Sequence, residues 1–197
     1  METVVDTRER ILDAALDSFA EQGYAGASMR NIAARAGLRA SSLYNHFAGK
    51  KQLLLALLER TGPVRMTEEL AALPENLSMD GLRDRVFDAL FALWRDPKEA
   101  RMMRFLCGEA VHNRELGAML ERQIYGLERE RLAGALARLW GNDPEAHDRA
   151  AQWAALSVSL AFGQRFRLML GSGSAQEVEQ VCRETRELFQ LLGSHWS

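Results

Sequence analysis

Cysteine, proline and long apolar stretches are scarce in this 197-residue sequence. Cys107 and Cys182 are too few for a disulfide framework and are not spaced as metal ligands. Four prolines and 15 glycines leave little room for low-complexity segments. No uninterrupted apolar run is longer than that from Leu53 to Leu58, whereas a membrane-spanning helix needs about 20 residues. The first residues also lack the cationic and apolar pattern of a secretory signal, so we expect a cytoplasmic protein with no membrane partner.

The signatures of common enzyme sites are missing as well. There is no Gly-x-Ser-x-Gly elbow and no phosphate-binding Gly-x-x-x-x-Gly-Lys. The segment 171–174, Gly-Ser-Gly-Ser, follows no predicted strand and contains no lysine, which indicates a loop. Glu109 and His112 have the Glu-x-x-His spacing of di-iron bundles, but without a second copy a capping or pocket-lining role for His112 is favoured. We therefore expect no catalytic residue, no metal site and no cofactor.

Charge is distributed unevenly along the chain. Residues 1–27 carry a net charge of −4, residues 28–60 one of +5 and residues 61–197 one of −3, against −2 for the whole sequence. A basic segment inside a mildly acidic chain indicates a surface that binds a polyanion. The open alternative is a solvated cationic face with no ligand.

Helical periodicity runs through nearly the whole sequence, and no window has the alternation typical of a strand. Residues 6–9, Asp-Thr-Arg-Glu, have the pattern of a capping box, and Gly23 suits the end of the first helix. A fourth helix begins near Lys50, and Gly62-Pro63 should kink or end it. The sequence thus predicts an all-α fold of about nine helices, the longer ones at 80–95, 97–111, 113–140, 144–170 and 175–192.

Residues 28–47 have the length and pattern of a helix-turn-helix. Ser28 caps a short helix over 28–36, Gly37 makes the turn, and a third helix runs from about residue 40 to 47. The small side chain of Ala33 allows the two helices of the motif to cross closely. Their small core is predicted to contain Ile32, Leu38, Leu43 and Phe47. The side chains left exposed on the last helix are Ala40, Ser41, Ser42, Tyr44, Asn45 and His46. Short hydroxyl and amide groups reach base edges in a major groove, and tyrosine, histidine and lysine hold phosphates.

This segment resembles the DNA-binding domain of the TetR family of bacterial transcriptional repressors. The resemblance covers residues 7–58 and is carried by Phe19, Gly23-Tyr24, Ser28-Met29-Arg30-Asn31-Ile32-Ala33, Ala36-Gly37-Leu38, Leu43-Tyr44-Asn45-His46-Phe47 and Lys50. The rest of the chain matches the family only in length and helical character. The resemblance implies a helix-turn-helix domain at 1–49 and a helical effector-binding and dimerisation domain at 50–197.

The resemblance also implies roles on DNA. Phosphate contacts are expected from Tyr44, His46 and Lys50, and positions in the groove from Ser41, Ser42 and Asn45. Tyr44 packed against the first helix and His46 as a cap or a solvated side chain remain alternatives. The predicted DNA-binding set is completed by Ser28, Arg30, Arg39 and Ala40.

Arg39 departs from the family pattern, which usually has serine or threonine there as the N-cap of the recognition helix. An arginine accepts no hydrogen bond from the exposed N–H groups, so the helix start should lose about 1 kcal/mol of capping. Either Arg39 reaches a phosphate or a guanine edge, or it is simply solvated.

In the larger half, the resemblance implies a small-molecule effector. Methionine and aromatic side chains suit a large, adaptable apolar pocket, although at helical spacing they also suit a plain core. The predicted ligand-binding residues are Trp94, Met102, Met103, Phe105, Leu106, His112, Leu120 and Tyr125.

The last two long helices are the expected dimer surface. Small residues between 151 and 161 would let two helices approach closely, and the final helix has an apolar face. The predicted interface residues are Trp153, Leu156, Leu160, Val178, Val181 and Leu188. Such a dimer places two recognition helices in successive major grooves, about 34 Å apart, so the operator should be an inverted repeat.

The sequence therefore predicts a homodimeric, ligand-responsive repressor that an apolar or amphipathic molecule releases from double-stranded DNA. Two alternatives stay open at this point. One is a DNA-binding dimer without an effector, and the other is an all-α protein that binds a small molecule or a metal but not DNA.

Overall fold

The computed structural model describes residues 6–74 and 77–193. The first five helices are α1 (Thr7–Gly26), α2 (Met29–Arg35), α3 (Ala40–His46), α4 (Lys50–Leu58) and α5 (Gly62–Ala71). They are followed by α6 (Met79–Arg95), α7 (Pro97–Ala110), α8 (Arg114–Glu121), α9 (Arg129–Leu139), α10 (Pro144–Leu170) and α11 (Ala175–Gly193). A π-helical segment, Arg122–Glu128, joins α8 to α9. No strand occurs within the described ranges, and the predicted all-α fold is confirmed.

One helix more is present than the sequence predicted. With α8, the π-helical segment and α9 taken as one continuous helix, the described residues form ten helices. The additional helix is α5. Pro63 lies in its first turn, where the N–H that proline lacks would have no partner within the helix. At the start of α5 the N–H of Gly62 donates to Oε1 of the buried Glu99 at 2.7 Å. A carboxylate 37 positions away thus caps α5, which no local pattern predicts.

The two ends of α1 follow the sequence prediction in part. Oδ1 of Asp6 accepts a hydrogen bond from the N–H of Arg8 at 3.2 Å, as expected for an N-cap. Glu9, the predicted second member of the capping box, instead pairs with the guanidinium of Arg60. Gly23 has a φ of 71° and interrupts the helical geometry one turn before α1 ends. The predicted break at this glycine is therefore present, but α1 resumes as far as Gly26.

The chain divides into two compact units. The described residues of Met1–Thr61 and Arg101–Gly117 form the first, in which α1 packs against α2 and α4 and α2 packs against α3. The ring of buried Phe19 stacks on Phe105, with 5.4 Å between centroids. The first unit therefore continues past residue 49, where the sequence placed the end of the first domain.

The second unit comprises the described residues of Gly62–Ala100 and Ala118–Ser197. Here α9 and α11 pack against α10, while α6 packs against α5 and α11. One apolar cluster includes Phe87, Phe91 and Trp94, and another includes Leu82 and Leu132. None of the helices in the described ranges has both the length and the apolar character needed to cross a membrane.

Candidate functional site

Hydrogen bonds stabilise the helix-turn-helix at the start of α2 and at the turn between α2 and α3. Oγ of Ser28 accepts from the N–H of Asn31 at 3.1 Å and caps α2. Gly37 has a φ of 70°, a conformation that side chains with a Cβ rarely adopt, and this lets the chain turn between α2 and α3. The guanidinium of Arg10, on α1, donates to the carbonyl oxygen of Ala36 at 2.6 Å and ties the turn to the first helix. The predicted roles of Ser28 and Gly37 in this turn are thus present in the structure.

Helix α3 has one buried face and one exposed face. Leu43 and Phe47 are buried, as their spacing of four predicts. Tyr44 is 53% exposed, so about half of its side chain remains open to solvent. The remaining predicted DNA-binding residues of α3 are exposed (Ser41, Asn45, His46) or half-buried (Ala40, Ser42). The structure thus brings polar side chains together on the solvent face of one helix.

The start of α3 has no side-chain cap. Arg39 occupies the N-cap position in extended backbone conformation and makes no capping hydrogen bond. The expected loss of a side-chain cap at this position is therefore present, and Arg39 is exposed.

Replacing Arg39 with serine should raise the free energy of unfolding by about 1 kcal/mol, because a serine hydroxyl accepts from the first N–H groups of α3. Ser28→Ala is the opposite change at the start of α2 and should cost about 1 kcal/mol, since it removes the bond to Asn31. Urea unfolding followed by circular dichroism measures both. An Arg39→Ser variant less stable than the parent would contradict the capping argument.

Half of the six cations between residues 28 and 60 pair with carboxylates. Arg35, Lys51 and Arg60 pair with Glu21, Glu115 and Glu9, respectively. The net positive charge of the segment is therefore neutralised in part within the first unit. Arg30 and Arg39, both exposed, make no ion pair with the described residues.

Lys50, predicted as a phosphate clamp, has partners inside the chain. Its Nζ donates to the carbonyl oxygens of Tyr24 and Ala25 at 2.7 and 3.1 Å. The same Nζ lies 4.9 Å from the ring centroid of Tyr24. Because the ammonium satisfies carbonyl groups at the end of α1, it has a structural role whether or not it meets DNA. Its phosphate contact stays a prediction.

The second unit contains an apolar cavity of about 530 Å³. Helices α5, α6, α9, α10 and α11 contribute its walls, together with the last residue of the π-helical segment. The apolar lining residues are Met66, Met79, Leu82, Val86, Phe87, Leu90, Leu132, Leu136, Trp140, Trp153, Val158, Ala161 and Phe189. The polar ones are Arg83, Glu128, Ser157 and Gln190. This volume is within the range of sites for drug-sized ligands.

None of the eight predicted ligand-binding residues lines this cavity. Trp94 belongs to an apolar core cluster of the second unit, and Leu120 is buried in that unit. Tyr125 stacks edge-on against Phe162 with 5.9 Å between centroids. Four of the predicted residues are buried in the first unit, outside the unit that holds the cavity: Met102, Met103, Phe105 and Leu106. His112 is exposed just beyond the end of α7.

The sequence contains a signal for the cavity that the prediction missed. Glu128, Leu132, Leu136 and Trp140 recur at a spacing of four, and all of them line the cavity. A carboxylate on an otherwise apolar face of a helix indicates that this face lines a cavity or a binding site rather than the packed core. Within residues 6–74 and 77–193, no group of three or more His, Cys, Asp or Glu side chains is placed to hold a metal ion.

Glu128 is the acidic group of this cavity. It is half-buried at the end of the π-helical segment, and burial raises the pKa of its carboxyl to about 8. Arg83 does not neutralise it, since that guanidinium pairs with Asp80 at 2.9 Å and Asp84 at 3.6 Å. The hydroxyl of Ser157 is buried and has no hydrogen-bond partner among the described residues.

The predicted dimer residues divide into three groups. Val178 and Val181 are buried in an apolar cluster of their own chain, so they are not available to a second copy, and this part of the prediction needs correction. Trp153 lines the cavity. Leu156 and Leu188 are exposed, and Leu160 is half-buried. Phe166 and Leu170 on α10 are also exposed apolar residues, as is Leu191 on the apolar face predicted for the final helix.

These features define a class of protein: a helix-turn-helix DNA-binding domain and a helical domain with room for a small molecule, in one chain. Residues 11–57 match the sequence model described as "Bacterial regulatory proteins, tetR family". The resemblance to the TetR family is therefore confirmed over these residues.

The relatives match mainly through this domain. The HTH-type transcriptional regulator SrpR of Pseudomonas putida is 45% identical over 53 residues, which are 27% of this chain and 25% of SrpR. The HTH-type transcriptional repressor AcnR of Corynebacterium efficiens is 35% identical over 78 residues, which are 40% of this chain and 37% of AcnR. The chain thus spans well under half the length of either relative.

Among solved structures, the SmeT–triclosan complex resembles this chain with a TM-score of 0.71 at 21% identity. The matched region covers 91% of each chain. At this identity the similarity shows that the fold is shared, and it shows no more than that.

Proposed function

We propose that the chain is a ligand-responsive transcriptional repressor that binds an inverted-repeat operator as a homodimer and is released by a small molecule. The observation that carries this proposal is the combination, in one chain, of an exposed polar recognition helix and an apolar cavity of about 530 Å³. The name of AcnR as a repressor supports the direction of regulation. Because an operator is chromosomal DNA, the proposal also implies a cytoplasmic protein.

On DNA, α3 would lie in the major groove. The exposed side chains of Ser41 and Asn45, with half-buried Ser42 beside them, have the donors and acceptors that read base edges. Tyr44 and His46, exposed near the other end of α3, would hold backbone phosphates, which fix the position of a protein on the duplex. Arg30 and Arg39 supply exposed positive charge at the starts of α2 and α3.

The second copy would pack against α10 and α11. Exposed apolar side chains on a monomer favour association when they are contiguous, and the proposed interface residues are Leu156, Leu160, Phe166, Leu170, Leu188 and Leu191. A two-fold dimer presents the same surface from each copy, so the two recognition helices are related by that symmetry. An inverted-repeat operator follows from this arrangement.

The effector would fill the cavity. Its walls are mostly apolar, and the complex of SmeT with triclosan supports a small-molecule ligand for this fold. A ligand shifts the dimer away from DNA only if it binds the released form more tightly than the bound form. The proposed ligand-contacting residues are therefore those of the cavity, including Trp140, Trp153 and Glu128.

Selection from a random duplex library should enrich an inverted repeat bound by two copies of the chain, with affinity that falls steeply with salt. Asn45→Ala should weaken binding to this operator by about 10- to 100-fold, the effect of about 1 to 3 kcal/mol in a base contact. Binding of the same variant to an unrelated duplex should hardly change, and that duplex is the internal control. No enriched sequence, with equal weak binding to all duplexes, would refute the proposal.

A further inference from the structure

The cavity combines apolar walls with a carboxyl that lacks a counter-charge. Charged side chains in the lining come from two residues, Glu128 and Arg83, and all the others are apolar or neutral. The guanidinium of Arg83 pairs with Asp80 and Asp84. Among the described residues, Arg83 is thus the one cation of the lining; the guanidiniums of Arg149 and Arg186 lie over the rings of Trp140 and Phe87, but neither arginine lines the cavity.

Burying the carboxyl of Glu128 in this cavity is energetically unfavourable. Moving an ionised carboxylate out of water is strongly unfavourable unless it is paired, and the raised pKa of Glu128 expresses that cost. An apolar residue at position 128, on the helix face that carries Leu132, Leu136 and Trp140, would not have this energetic cost. A ligand that brings a positive charge into the cavity would compensate the carboxylate directly.

The other walls suit the same kind of ligand. The rings of Trp140, Trp153, Phe87 and Phe189 line the cavity. Aromatic faces attract cations, and two of these rings already do so within the chain: Trp140 lies 4.6 Å from the guanidinium of Arg149 and Phe87 lies 5.2 Å from that of Arg186. Ser157 is 4% exposed, and its Oγ has no hydrogen-bond partner among the described residues. It can donate to or accept from a polar group of the ligand.

We propose that the cavity selects organic cations, with an ammonium or similar group beside Glu128 and an apolar body against Trp140, Trp153 and Phe87. This inference rests on the proposed function and names the chemical class of its effector. When a permanent cation binds, the carboxyl of Glu128 loses its proton to solvent and the carboxylate pairs with the ligand. Binding is therefore coupled to the release of a proton wherever the free protein holds Glu128 protonated.

The test uses benzyltriethylammonium and its neutral isostere, 3-benzyl-3-ethylpentane, in which carbon replaces nitrogen. Quenching of tryptophan fluorescence reports binding, because Trp140 and Trp153 line the cavity. At pH 8.5 we expect the cation to bind at least tenfold more tightly than the isostere. Because the ligand itself has no titratable proton, its affinity should rise by about tenfold from pH 7 to pH 9 as Glu128 ionises.

Glu128→Gln tests the role of the carboxyl and keeps the size of the side chain. It should remove both the preference for the cation and the dependence on pH. Glu130→Gln is the matched control, since it makes the same charge change at an exposed position two residues along and should bind as the parent does.

The outcomes separate this inference from the proposed function. If the neutral isostere binds as tightly as the cation, or if Glu128→Gln keeps the preference, the effector class is wrong while an apolar effector stands. If neither probe binds the parent chain, the cation inference is overturned. A parent chain whose selected operator is displaced by no apolar or cationic compound would contradict the ligand response itself.

Discussion

Replacing Phe47 with alanine is expected to lower the free energy of unfolding by about 3 to 5 kcal/mol, the usual cost of truncating a buried phenylalanine. The ring is 1% exposed at the C-cap of α3, and the guanidinium of Arg8 lies 4.9 Å from its centroid. Alanine would leave a cavity in the small core that holds α3 in place. Operator binding should then be lost together with the fold of the first unit.

The matched control is Tyr44→Ala, one helical turn earlier on α3. Because Tyr44 is 53% exposed, its removal should change the free energy of unfolding by no more than about 0.5 kcal/mol. Its affinity for the selected operator should nevertheless fall. Urea unfolding and a binding titration on both variants separate the two faces of α3. A Phe47→Ala variant as stable as the parent would contradict the observed packing.

Glu128→Gln should make the protein more stable at high pH and leave it nearly unchanged at low pH. Below pH 4.5, the ordinary pKa of the group, the carboxyl is protonated in the folded and unfolded states alike. Above that pH the unfolded chain loses the proton first, because burial holds the folded pKa at about 8. The folded state is therefore penalised progressively, and the penalty becomes constant above pH 8.

From these two pKa values, the parent chain should lose about 4 kcal/mol of stability between pH 5 and pH 9 through Glu128 alone. Glutamine does not titrate, so the difference between the two unfolding curves isolates this group. Urea unfolding at pH 5, 7 and 9 measures it, with Glu130→Gln as the exposed control. Parallel pH profiles for the parent and Glu128→Gln would mean that the carboxyl is well solvated or paired in the folded protein.

The sequence by itself determined the helix-turn-helix and the described helices other than α5. Helical periodicity is a local property, and it correctly separated buried Leu43 and Phe47 from exposed Tyr44 and His46. Capping and turn chemistry are equally local, so Ser28, Gly37 and the uncapped Arg39 were all predictable from residue type. The long helices from α6 onward also begin and end within about two residues of their predicted limits.

Tertiary structure alone decided which buried residues face the cavity. Periodicity identifies the apolar side of a helix but not whether that side meets another helix or an open space. Met102 and Met103 are therefore core of the first unit, while Val181 is core of the second. The π-helical segment adds to the difficulty, since its wider turn shifts the faces of α9 relative to α8. Glu128 acquires its raised pKa, and with it the proposed role, only because distant helices enclose it.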